Sequence, residues 1–131
     1  LEKWETWGER ATVDKADTLW RIGNAYRDIG RKGESESLKI AISKYHSALN
    51  MVDYHKNPLL YAEISENLGL ALGGIGKPFK GIQSIRRARK AYKSLGEKQS
   101  EKRLREFLTP FYVIAGAIIC LVIWAFYNIA F

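Results

Sequence analysis

PLLYAEISENLGLALGGIGKPFKGIQSIRRARKAYKSL, residues 58–95, is the stretch on which the fold turns. Tyr61, Ile64, Leu68, Ala71 and Leu72 recur at helical intervals, and after glycines 73, 74 and 76 the pattern resumes with Ile82, Ile85, Ala88, Ala91, Tyr92 and Leu95. Such spacing gathers apolar side chains on one face of a helix, whereas a half-buried strand alternates every second residue. One helix begins after Pro58. Pro78 fits the first turn of the next, where a missing N–H has no partner to lose, and Gly96 ends it.

Upstream the same reading gives a helix over residues 14–29, with Leu19, Ile22, Ala25, Tyr26 and Ile29 on its stripe and Gly30 as its cap. Another covers residues 37–52 through Leu38, Ala41, Ile42, Tyr45, Ala48, Leu49 and Val52. Downstream, residues 97–108 form a strongly charged fifth helix, and Thr109 with Pro110 marks the entry to the apolar stretch that follows. No stretch alternates long enough for a sheet, so the chain is all-α. Trp4 and Trp7 mark residues 1–13 as an added N-terminal helix or cap.

Residues 111–131 contain no Asp, Glu, Lys, Arg or His. As a helix they reach roughly 31 Å, matching a hydrocarbon core of about 30 Å. Their C-terminal place sets them apart from a secretory signal. Residues 14–108 thus read as the helical domain and 109–131 as a transmembrane helix, with Phe111, Tyr112, Trp124 and Tyr127 as interface aromatics. Ala115, Gly116 and Cys120 offer a small-residue patch for lateral helix packing; a plain lipid anchor is the alternative.

Charge divides along the chain. Residues 1–76 hold 10 basic and 11 acidic side chains, and residues 77–109 hold 11 basic and 3 acidic, so the net +7 belongs to the segment before the span. That bias places the domain on the cytoplasmic, or equivalent, side of a single-pass membrane protein. It assigns Arg86, Arg87, Arg89, Lys90, Lys102, Arg103 and Arg105 to anionic lipid headgroups or an acidic partner. The run leads straight to an apolar helix, which disfavours nucleic acid. The single cysteine, Cys120, lies in the apolar stretch, so no disulfide forms within these residues.

An internal repeat runs through the helices. Leu19, Ile22, Gly23 and Tyr26 share the spacing of Ser65, Leu68, Gly69 and Leu72, and Ala41, Tyr45 and Ala48 match Gly81, Ile85 and Ala88. This resembles the tetratricopeptide (TPR) repeat, in a long-loop bacterial-type variety, over residues 14–95 as two units, with 97–108 as a terminal helix. The two glycines are 46 residues apart, against a repeat of about 34; longer connections absorb the excess. The resemblance implies an array of helical hairpins whose first helices line a groove for a protein partner. In the variety that clamps a C-terminal carboxylate, two groove asparagines act with basic residues; Asn24 and Asn67 fall at the asparagine places, but Trp20 stands where a clamp lysine belongs. Arg103 or Arg105 would substitute only if the fifth helix closes the groove. The groove face expected here is Trp20, Asn24, Arg27, Glu63, Glu66, Asn67 and Leu70, although Trp20 suits ordinary helix-pair packing equally.

Motifs for catalysis or cofactor binding are missing. Gly73, Gly74, Gly76 and Lys77 suggest a phosphate loop, but Ala71 and Pro78 occupy the places of its first glycine and its Ser or Thr. No Ser, His and acid arrangement carries a supporting motif. The expectation is a non-enzymatic, membrane-anchored adaptor, without cofactor, metal or small-molecule substrate, that fastens a protein partner at the membrane. The alternative is an accessory subunit of a larger membrane complex, such as a respiratory or photosynthetic one.

Overall fold

A computed structural model describes residues 2–130, with side chains from Thr6 to Ile129; Trp4 and Phe131 lie outside the described side chains. Five helices follow one another: α1 (Glu2–Gly30), α2 (Ser35–Leu49), α3 (Pro58–Gly74), α4 (Pro78–Ser94) and α5 (Lys98–Ala130). The protein is all-α, and no strand occurs among the described residues.

The hairpins α1–α2 and α3–α4 are built alike at their crossings. A methyl group on Gly23 would sit 2.6 Å from the Tyr45 ring, and one on Gly69 would sit 2.5 Å from Ile85 Cγ1. The spacing that equates Gly23 with Gly69 and Tyr45 with Ile85 therefore equates two contacts. In each, a glycine on the first helix makes room for the central bulky residue of the second.

Two apolar clusters follow. Leu38, Ala41, Tyr45 and Ala48 of α2 pack with Ala16 of α1 and with Ile64, Leu68, Ala71 and Leu72 of α3. Ala62 of α3 joins Ile85, Ala88, Ala91 and Tyr92 of α4 to Leu104 and Leu108 of α5. The first turns of α5 are thus core.

α3 and α4 end in the same way. Lys77 N–H donates to the Leu72 carbonyl at 2.9 Å and Glu97 N–H to that of Tyr92 at 3.0 Å. Gly76 and Gly96 supply the left-handed residues, φ 76° and 74°, that such ends need. The glycine cluster is therefore a helix terminus. At α1 the left-handed residue is Gly33, φ 113°, and Gly30 is instead buried beneath Leu38.

Two expected boundaries are absent. Residues 2–13 continue α1 without a break, because a lone Gly8 costs a helix only about 1 kcal/mol and no proline intervenes. Residues 98–108 and the apolar stretch form one 33-residue helix with Pro110 inside it. Proline's fixed φ is itself helical, so a single ladder bond is lost, and the Thr109 hydroxyl donates to the Arg105 carbonyl at 2.8 Å beside the gap.

Candidate functional site

α1 and α3 lie side by side and present one face, which α5, packed on α4, reaches through Arg103. On α1, Asn24 and Arg27 lie one helical turn apart; on α3, Glu63, Glu66, Asn67 and Leu70 recur at three- and four-residue steps. The structure brings these together across 40 or more residues of sequence. Asn67 Nδ2 donates to Asn24 Oδ1 at 2.9 Å, the Tyr45 hydroxyl donates to the same oxygen at 2.7 Å, and Arg27 Nη1 donates to Asn67 Oδ1 at 2.5 Å.

This network locks the first hairpin to the second. Burial, foremost, pushes the Tyr45 phenol up to about 12, so its neutral, donating form persists through the physiological range. Tyr45→Phe is expected to cost about 1 kcal/mol for the lost hydrogen bond. The sign of its pH dependence is fixed. The unfolded phenol ionises near its ordinary 10 and the folded one near 12, so the stability Tyr45 contributes is full below pH 10 and is lost between 10 and 12. Denaturant titrations at several alkaline pH values should show that loss shrinking in the variant.

Farther along α3, the Glu66 carboxylate, buried on the α4 side, receives both Arg103 Nη1 and Arg103 Nη2 from α5, the second at 3.1 Å. The Tyr92 hydroxyl of α4 adds a third bond at 3.2 Å. Burial first, then Glu66 and Glu63, push the Tyr92 phenol far above its ordinary range. α5 therefore closes one side of the face, with Arg103 turned onto α3. Nothing in the sequence tied Arg103 to Glu66, 37 residues away. The available signal was a glutamate set within the buried part of α3, where an unpaired charge is costly.

Most of the donors that a carboxylate clamp would use are committed within the chain. Of the donors a carboxylate would need, Asn67 Nδ2 is given to Asn24, Arg27 to Asn67, with Asp28 at 3.4 Å, and Arg103 to Glu66. Trp20 is half-buried against the α1–α2–α3 core, and its Nε1, like Arg27 Nε, has no hydrogen-bond partner among the described residues. Glu63 is half-buried, and burial first, then Asp17 and Glu66, push its carboxyl up. The open part of the face is therefore acidic at Glu63 and apolar at Leu70. Leu70 lines an apolar cavity of about 240 Å³ with Gly73, Ile82, Phe107 and Phe111.

The basic residues divide. Arg89 Nε donates to Glu101 at 2.7 Å and lowers that carboxyl below its usual range. Arg103 is taken as above, and Lys102 lies 3.9 Å from Glu106. Arg86, Arg87, Lys90 and Arg105 are exposed. Arg86, Lys90 and Lys93 share a recess with Tyr112, at the level where charged residues cease.

Beyond Leu108 the helix is uncovered. Its large apolar side chains from Phe111 to Ile129 are exposed, and nothing lies within 4 Å of where a Gly116 side chain would begin. Ala115, Gly116 and Cys120 meet no neighbour in this chain that would test lateral packing. Among the described residues this is the one helix long and apolar enough to cross a membrane. No family model matches the chain, and searches of curated proteins and of solved structures found no match.

Proposed function

We propose that this chain is a membrane-anchored adaptor of the TPR kind, which fastens a protein partner at the cytoplasmic face through α1 and α3. One observation carries the reading: a face braced by Asn24, Asn67 and Arg27 leads, through the uninterrupted helix α5, into a stretch whose apolar side chains nothing in the chain covers. The bracing favours binding because groups held in advance lose less freedom on contact. Anchoring acts by localisation, confining the face to a thin layer and raising its effective concentration for any partner there. The excess of Lys and Arg just before the apolar stretch supports the cytoplasmic assignment, and the exposed Arg86, Arg87, Lys90 and Arg105 suit anionic headgroups. No catalytic role is proposed.

The test is a mild-detergent pull-down from native membranes with the intact chain and with a version ending at Leu108, which keeps the core contacts of α5. Both should recover the same soluble partner, and Leu70→Glu should lose it, because a charge would replace the exposed apolar patch of the face. Recovery of integral membrane proteins in fixed ratio, by the intact chain alone, supports the second reading, an accessory subunit held through Ala115, Gly116 and Cys120. The complete exposure of that small-residue patch is the observation that favours it.

A further inference from the structure

Phe79 is the most exposed large apolar side chain of the helical domain among the described residues. It is 83% exposed, and among the described residues outside the uncovered part of α5 Trp7, at 66%, comes next. Its neighbours Lys77, Pro78 and Lys80 are exposed as well. Phe79 lies in the first turn of α4 and packs in neither apolar cluster.

Its place in the fold supplies the reason. Pro78 and Gly73, on either side of the α3–α4 turn, line the same cavity as Phe107 and Phe111 of α5. Phe111 opens the charge-free stretch. One helical turn separates Phe107 from Phe111, about 6 Å, and the headgroup layer on each side of a bilayer is roughly 5–8 Å deep. When α5 crosses a bilayer, the α3–α4 turn therefore stands at headgroup level. The opposite end, where Lys56 of the α2–α3 turn meets Glu9 of α1, points away. Leu38, packed over both Gly30 and Gly74, shows that the α1–α2 turn shares the lower end, bringing Arg31 and Lys32 there too.

An exposed aromatic between two lysines is the combination that interfacial membrane contacts use: the ring enters the acyl boundary while the ammonium groups reach phosphate. We propose that the α3–α4 turn is a lipid-binding surface, with Phe79 immersed in the bilayer interface and Lys77 and Lys80 on lipid phosphates. The helical domain is thereby seated on the membrane rather than held away from it. The face of α1 and α3 then stands over the bilayer, with its apolar end, Leu70, Phe107 and Phe111, toward the lipid and its polar end away. The inference rests on α5 spanning a bilayer.

Spin labelling of the full chain in vesicles of phosphatidylcholine with phosphatidylglycerol separates the two claims. Labels are placed at native Cys120 and, on a Cys120→Ser background, at Phe79→Cys or His55→Cys, His55 being exposed in the opposite turn. Collision rates with oxygen, which partitions into lipid, are compared with those of a water-soluble nickel chelate. The expected order of the oxygen-to-nickel ratio is Cys120 highest, residue 79 severalfold above residue 55, and residue 55 at the aqueous value. A residue 79 indistinguishable from residue 55, with Cys120 deep, overturns the seating alone. A Cys120 at the aqueous value overturns the span reading itself. A residue 79 shielded from both reagents means that a second copy of the chain covers it, which also overturns the proposal. With Lys77→Glu and Lys80→Glu the ratio at residue 79 should fall clearly, and an unchanged ratio removes the lysines from the contact.

Discussion

Gly81→Ala is expected to destabilise the helical domain by about 3 kcal/mol, at the upper end of ordinary overpacking. The added methyl would lie 2.6 Å from the Gly69 carbonyl oxygen and 3.3 Å from the Gly73 nitrogen. Both are backbone atoms, so no rotamer change relieves the clash, and α3 and α4 must move apart. Separation would loosen Ile85 over Gly69 and, beyond it, the contacts of Ala88 with Leu104 and Leu108. The better helix propensity of alanine returns about 1 kcal/mol, too little to reverse the sign. Gly73→Ala, in the same hairpin, should do the opposite. Nothing lies within 4 Å of its added methyl and its backbone is helical, so a gain of about 0.5–1 kcal/mol is expected. Denaturant unfolding of the intact chain in detergent micelles, followed by circular dichroism, measures both. Equal effects at the two glycines would mean that α3 and α4 do not cross at Gly69 and Gly81.

The same crossing shows how much of the fold could be read beforehand. Glycines 23 and 69 share a pattern with their neighbours, and so do Tyr45 and Ile85; local spacing was enough to pair helices whose apolar faces must meet. Helix ends were legible at Gly76 and Gly96, which take the left-handed conformation, but not at α1, where Gly33 and not Gly30 takes it. Pro110 was misleading because proline is a local signal, whereas helix continuity there depends on neighbours. Leu104 and Leu108 are fixed against α4 on one side of it, and on the other an apolar run can satisfy its backbone in lipid only as a helix. The candidate site was legible residue by residue but not as a network. Asn24 and Asn67 appeared as groove donors, yet Tyr45 reaches Asn24 across the first hairpin, and the bonds of Asn67 to Asn24 and Arg27 follow from how two hairpins stack. Charge patterning likewise counted Arg103 among the lipid-facing cations, because a count of like charges carries no information about which one a distant carboxylate will take.

That carboxylate gives the second large effect. In Arg103→Ala, Glu66, whose side chain is only 11% exposed, loses two of its three donors and keeps the Tyr92 hydroxyl. Breaking a fully buried ion pair costs about 3–5 kcal/mol, because the remaining charge is stranded. Here the Arg103 side chain is itself 58% exposed, so water can take part of its place and the expected loss is about 2 kcal/mol. If stranding is the cause, removing the charge should cure it. Glu66→Gln on the Arg103→Ala background keeps an oxygen for Tyr92 without the negative charge, and should recover most of the loss. Strictly additive losses in that double-mutant cycle would show that the two side chains are not coupled. A further consequence separates this pair from an ordinary stabilising contact. Among the described residues it is the one hydrogen-bonded tie from α5 across to α3, and α5 packs chiefly on α4. Its loss should leave the helices formed but let α5 swing relative to the α1–α3 face. Distances between spin labels on α3 and on the apolar half of α5 should therefore broaden in Arg103→Ala while far-ultraviolet circular dichroism is unchanged. A narrow distribution would mean that the α4–α5 packing alone fixes how the binding face stands over the membrane.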